Sequence, residues 1–209
     1  VFSARKKIIM SKQLFKSILL LTECFFIFLN THAQNWEVNL LDNINPTTPN
    51  AAVWKNTSTS VYPIAVASPL VILATGYLKK DKALQKKGWQ TAGALVINTA
   101  ITQGLKYTIN RDRPYIKYPA LIHPYELDND ASFPSGHTST AFTTAASLSI
   151  NFKKWYVVVP AYAWAAGVGY SRMYLGQHYP TDVLAGAAIG IGSAYLSNWL
   201  NKKYFAKHK

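Results

Sequence analysis

The chain has 209 residues, enough for one domain with a sizeable core, and is 49% hydrophobic but only 15% charged, against about 25% charged in soluble domains. That balance leans toward a membrane protein. A single cysteine, Cys24, excludes an intrachain disulfide and a thiolate metal cluster, and the net charge of +13 is placed along the chain in a way that excludes a nucleic-acid partner in favour of a membrane.

Residues 1–33 read as an N-terminal extension followed by a signal peptide or an uncleaved anchor. Met10 is the expected start. Lys12 and Lys16 form a basic region, 18–29 is apolar apart from Glu23, and Thr31-His32-Ala33 offers small residues for cleavage before Gln34. Glu23 disfavours lipidation at Cys24. Residues 34–60, with Pro46 and Pro49, read as an exported, loosely structured linker with one short amphipathic helix around 36–44.

Five apolar stretches follow within a domain spanning 61–200, and a basic tail closes the chain at 201–209. They cover 61–78, 88–105, 138–152, 155–170 and 182–200, each rich in Ala, Gly, Ser and Thr, the composition of helices packed closely in a bilayer. Several are short of the about 20 residues needed to span, so buried helices of a soluble all-α bundle are the competing reading. Charge placement separates the two. If the stretches alternate across a membrane, 16 of the 22 Lys and Arg fall on one side, in the N-terminal segment, 79–87, Lys153-Lys154 and the tail. The positive-inside rule makes that side cytoplasmic, and a soluble bundle has no reason to sort lysines by loop parity. The expected fold is therefore all-α: an integral membrane bundle of about five transmembrane helices, with the remaining loops facing outward.

Three segments on that outward side carry the chemistry. The first is Lys106-x6-Arg113-Pro114, the second Pro134-Ser135-Gly136-His137, the third Ser171-Arg172-x5-His178-x3-Asp182. Pro114 is expected to stop the second helix nearby, leaving Lys106 and Arg113 aimed at a common point. Arginine offers a planar donor fork to two phosphate oxygens and lysine a point charge. Pro134 suits the first position of a helix, which would put Ser135, Gly136 and His137 in its first turn, where free N–H groups favour an anion. Gly136 lets a phosphate oxygen approach the backbone and Ser135 adds a hydroxyl donor. Pro180 repeats the device, with Asp182 reaching back to His178 to fix its tautomer. Arg111 is a candidate outer helper. His123, Glu126, Asp128 and Asp130 read as a solvated loop able to shape substrate entry.

These three blocks resemble the signature of the type 2 phosphatidic acid phosphatase superfamily, which also contains class A bacterial acid phosphatases and vanadium haloperoxidases. The resemblance spans roughly residues 60 to 200 and departs at no signature position. It implies a phosphatase in which His178 is the nucleophile, His137 the general acid for the leaving oxygen, and Asp182 the steering carboxylate. Lys106, Arg113, Ser135, Gly136 and Arg172 would bind the phosphate. No carboxylate cluster or metal-ligand spacing is seen, so neither metal nor cofactor is expected. The expected substrate is a lipid phosphate monoester or pyrophosphate at the outer membrane face, and no protein partner can be inferred. A soluble periplasmic acid phosphatase and a non-catalytic lipid-phosphate binder are the alternatives.

Overall fold

A computed structural model of the chain describes residues 36–207, with side chains through 203. The signal or anchor segment expected at 1–33 lies outside the described residues. The chain divides into two units, Val1–Asn39 and Leu40–Lys209, and helix α1 (36–44) crosses that boundary. Helix is the only regular structure among the described residues, which contain no strand. After α1 come α2 (Ala52–Thr59), α3 (Val61–Leu78), α4 (Lys82–Ile109), α5 (Pro114–Lys117), α6 (Gly136–Phe152), α7 (Trp155–Tyr174) and α8 (Pro180–Lys207).

The helix ends follow from local chemistry. Asp81 caps α4, its carboxylate accepting from the N–H of Ala83 at 2.8 Å and of Leu84 at 3.1 Å. At the other end Asn110 adopts the left-handed conformation at φ 44 and donates its N–H to Lys106 O, a frequent way to stop a helix. The helix thus stops near Pro114, as expected, with Arg113 extended; the stop itself is made by Asn110, and Pro114 opens the short helix α5 four residues later. Within the expected linker, residues 36–60 hold more helix than expected. Beyond the 36–44 helix they hold α2, which packs against α7.

Helix α6 sits at the centre, packed against α4, α7 and α8. Its buried face is almost all Ala, Ser and Thr, and hydroxyls there fold back on their own helix: Thr143 Oγ1 donates to Ser139 O at 2.7 Å and Thr144 Oγ1 to Thr140 O at 2.9 Å. Small residues let α8 come backbone to backbone. A Cβ on Gly190 would lie 2.3 Å from Ser139 O and 2.9 Å from Thr143 N, and one on Gly186 would lie 2.7 Å from Ser135 O. Backbone atoms cannot step aside as a flexible side chain can. Gly190→Ala is accordingly expected to destabilise the bundle by about 1–3 kcal/mol, seen as a lower melting temperature in detergent, whereas an unchanged melting temperature would mean the contact is looser than drawn.

Polarity runs opposite to that of a water-soluble bundle. Gln90, Thr91, Asn98, Thr102, Thr143 and Ser147 are buried, while Val66, Leu70, Val71, Val96, Trp155 and Leu184 are exposed. Two helices, Val61–Leu78 and Pro180–Lys203, are long and apolar enough to cross a bilayer. The other three expected stretches also form helices, α4, α6 and α7. Away from the signature blocks, Asn151 donates to Gln90 Oε1 at 2.6 Å and to Thr91 Oγ1 at 3.1 Å. Gln90 Nε2 donates to Ala194 O at 3.1 Å, and Ser197 Oγ to Gln90 O at 2.7 Å. This polar clasp ties α4, α6 and α8 together.

Candidate active site

Lys106 lies in the last turn of α4, Arg113 at the N-cap of α5, His137 in the first turn of α6, Arg172 in the last turn of α7, and His178 just before α8. These five side chains and Gly136 line one cavity of about 360 Å³. The close α6–α8 contact is what makes the convergence possible, because it sets the start of α8 beside the start of α6. There the N–H of Ser135 donates to Asp182 O at 3.1 Å.

Ser135 is placed differently from the expectation. It is the N-cap of α6 rather than part of its first turn, and Pro134 precedes the helix. Its hydroxyl accepts from Thr138 N at 3.4 Å and pairs with Thr138 Oγ1 at 2.9 Å, so it is fully buried and spent within the protein instead of lining the cavity. The N–H groups of Gly136 and His137, at N1 and N2, are left by helix geometry without intrahelical acceptors.

His178 is held from the side of Nδ1. Asp182 Oδ2 lies 3.7 Å away, too long for a hydrogen bond. Ser132 fills the gap, its Oγ donating to Asp182 Oδ2 at 2.5 Å while lying 3.5 Å from His178 Nδ1. Asp182 also accepts from Tyr179 N at 3.1 Å and from Arg111 Nη1 at 2.6 Å, and the Arg111 guanidinium stacks 3.8 Å over the Tyr179 ring. Arg111, the candidate outer helper, thus contacts Asp182 rather than the cavity. Burial, reinforced by the charges of Arg172 and Arg113, pushes the His178 pKa down to about 4, against the pull of Asp182. His137, its ring edge-on to Tyr62 at 4.9 Å, is pushed down to about 3 by burial and then by Arg172, His178 and Arg113.

The cations are more heavily engaged than the sequence implied. Arg113 Nη1 donates to Gln177 O and Oε1, each at 3.1 Å, and Arg172 Nη1 donates to Ser58 Oγ of α2 at 2.8 Å. The Nε of Arg172 is buried without an acceptor, which leaves that guanidinium donor capacity for an anion. The loop read as solvated comes inward. Asp130 pairs with Lys106 and Arg113, and Asp128 with Arg113 and Arg172. Burial works against the Asp130 charge, but hydrogen bonds from Lys106 and Arg113 outweigh it and hold its pKa at about 2. Sequence reasoning missed Tyr62, Gln103, Ser132 and Gln177 altogether and gave Asp128 and Asp130 too small a part. The available signal was acid density, with three of nine Asp and Glu between positions 126 and 130.

The chain is 29% identical over 147 residues to a lipid A 1-phosphatase of Porphyromonas gingivalis, covering 68% of this chain and 30% of that protein. It is 32% identical over 128 residues to an undecaprenyl-diphosphatase of Sulfolobus acidocaldarius, covering 60% and 61%. It thus spans less than two thirds of the length of either relative. In fold it is similar to the crystal structure of Aquifex aeolicus LpxE, with TM-score 0.54 and 24% identity over 77% of this chain and 91% of that one. A transmembrane PAP2 type phosphatidylglycerolphosphate phosphatase from Bacillus subtilis is similarly placed, with TM-score 0.55 and 22% identity over 86% and 93%. The PAP2 superfamily model matches residues 87–205, which hold all three signature blocks and more than half of the chain: this protein belongs to the PAP2 superfamily.

Proposed function

We propose that this chain is a membrane-embedded phosphatase that removes phosphate from lipid phosphate monoesters or diphosphates, without a metal, through a phosphohistidine on His178. The observation that carries the reading is the convergence of Lys106, Arg113 and Arg172, from three distant segments, on one cavity beside His137 and His178. Three cations around a phosphoryl group supply the charge stabilisation that metal ions provide elsewhere. With Nδ1 turned toward Ser132 and Asp182, the Nε2 lone pair of His178 is the nucleophile. It forms a bond to phosphorus as the bond to the lipid oxygen breaks, and His137 gives that oxygen a proton. His137 then takes a proton from water as the water oxygen attacks phosphorus, and the nitrogen–phosphorus bond breaks to release inorganic phosphate.

The exposed apolar side chains of α3, α4, α7 and α8 and the sorting of lysines support about five spans with the cavity on the outer, periplasm-like face. The similarity to proteins named for lipid A and undecaprenyl diphosphate supports a lipid carrying phosphate or diphosphate as substrate.

The test is phosphate release by purified protein in detergent, from lipid phosphates and from a soluble aryl phosphate, with and without chelator, across pH. Lipid phosphates are expected to turn over faster, and chelator to change nothing. The attacking lone pair exists only when His178 is unprotonated, so activity should fall as pH drops through about 4. In the free site His137 takes a proton only near pH 3, so the anionic substrate must bring that proton into play. The decline at high pH should therefore appear in kcat. Activity lost to chelator and restored by metal would refute the metal-free site. Equal turnover of the soluble phosphate by protein released without detergent would favour a soluble acid phosphatase.

A further inference from the structure

Asp128 and Asp130 occupy positions on the three cations where phosphate oxygens would bind. Asp130 Oδ2 is 3.0 Å from Lys106 Nζ, and its Oδ1 accepts from Arg113 Nη2. Asp128 Oδ2 is 3.0 Å from Arg113 Nη1 and 3.4 Å from Arg172 Nη2. Two carboxylates thus share all three cations, and Arg113 serves both. The cations are deeply buried, whereas the Asp128 and Asp130 side chains are 33% and 54% exposed, so the acids stand on the open side of the cavity.

The backbone beneath them is fixed. The Tyr115 hydroxyl accepts from Asp128 N and donates to Asp128 O, both at 3.0 Å. Arg113 Nε donates to Asp130 O at 3.0 Å, and Ser132 N to Arg111 O at 2.8 Å. A carboxylate can leave its cation by side-chain rotation alone, without any movement of the loop. This separates the arrangement from a hinged lid and makes exchange with an incoming anion local.

We propose that Asp128 and Asp130 are specificity-determining residues, internal anions that compete with phosphate for Lys106, Arg113 and Arg172. This rests on the phosphate-pocket reading above. Every phosphate that enters must replace charge-assisted contacts already made, so binding through the cations alone is weakened. A phosphate attached to an apolar body recovers that loss through contacts elsewhere, whereas free inorganic phosphate has only the cations. The pair therefore selects against the product and returns to the cations as it leaves. Weakening a contact common to substrate and product costs little in the chemical step while relieving product inhibition.

Isosteric Asp128→Asn and Asp130→Asn variants keep the side-chain shape and remove the competing charge. Inorganic phosphate is titrated calorimetrically into each purified protein, and its inhibition constant is measured during turnover. Each variant is expected to bind phosphate about tenfold tighter than the native protein. Asp112→Asn, which removes an exposed charge outside these ion pairs, should shift affinity less than twofold. Affinity equal to or weaker than native in both Asn variants overturns the proposal and leaves the acids as loop fasteners. An equal gain in Asp112→Asn overturns it too, by assigning the effect to net charge. Arg172→Ala separates the two layers of argument. If it abolishes phosphate binding while the Asn variants match native, the pocket stands and the competition falls. If no protein binds phosphate, both fall.

Discussion

Replacing His178 with alanine is expected to lower phosphate release from a lipid phosphate by on the order of a thousandfold or more while the protein still folds. The ring is almost completely buried, so the substitution also leaves a cavity. His178→Gln, which fills more of that space and still cannot form a stable phosphoryl adduct, should be equally inactive but closer to native in melting temperature. Because the three cations are untouched, both variants should still bind vanadate or inorganic phosphate. Rapid quenching with labelled substrate supplies an independent readout: native protein should carry acid-labile, base-stable phosphate, and neither variant should. Undiminished turnover in His178→Ala would remove the covalent mechanism altogether.

Asp182→Asn is expected to be nearly as damaging, on the order of 10²–10⁴-fold in kcat, by analogy with steering carboxylates in other nucleophilic sites. Asp182 is wholly buried and receives Arg111, Ser132 and Tyr179 N–H at 2.5–3.1 Å. An amide of the same shape offers one oxygen where the carboxylate offers two, and its NH₂ opposes either the Ser132 hydroxyl or the Arg111 guanidinium. The cationic ring that forms as His178 bonds to phosphorus loses its counter-charge as well. Ser132→Ala keeps that charge and removes only the hydroxyl between Asp182 and His178, so its loss should be much smaller, about tenfold. If Ser132→Ala matches Asp182→Asn, the hydroxyl rather than the carboxylate steers the ring. If Asp182→Asn leaves kcat unchanged, neither does.

The residues legible in the sequence share one property: short local blocks declare them. Lys106, Arg113, Arg172 and the His178–Asp182 pair sit next to helix-start and helix-stop signals, so their position on an element can be read without knowing the fold. Helix α3 coincides residue for residue with the expected stretch 61–78, because that stretch holds no charged residue and Lys79 bounds it. The loop between Tyr118 and Ser135 has no such period. Its path is set by long-range bonds, such as Gln177 Nε2 to Glu126 O at 2.7 Å and Asn45 Nδ2 to His123 O at 2.9 Å. Hence Asp128 and Asp130 read as solvent-facing, and Ser132 did not register. The short helix α2 was hidden for a related reason. Its apolar content is too low to stand out, and it gains its place by packing on α7 and through Ser58 on Arg172. Ser135 misled because the same residue type serves equally well as an anion donor and as a helix cap.

The Asn151–Gln90–Thr91 clasp, with its links to Ala194 and Ser197, lies some 16 positions before Lys106 along α4, about 24 Å at helical rise. At the other end of the same helices the bond from Ser135 N–H to Asp182 O and the Gly186 contact hold α6 to α8. The central helix is thus pinned at both extremities, and it cannot shear against α8 without breaking one set of contacts.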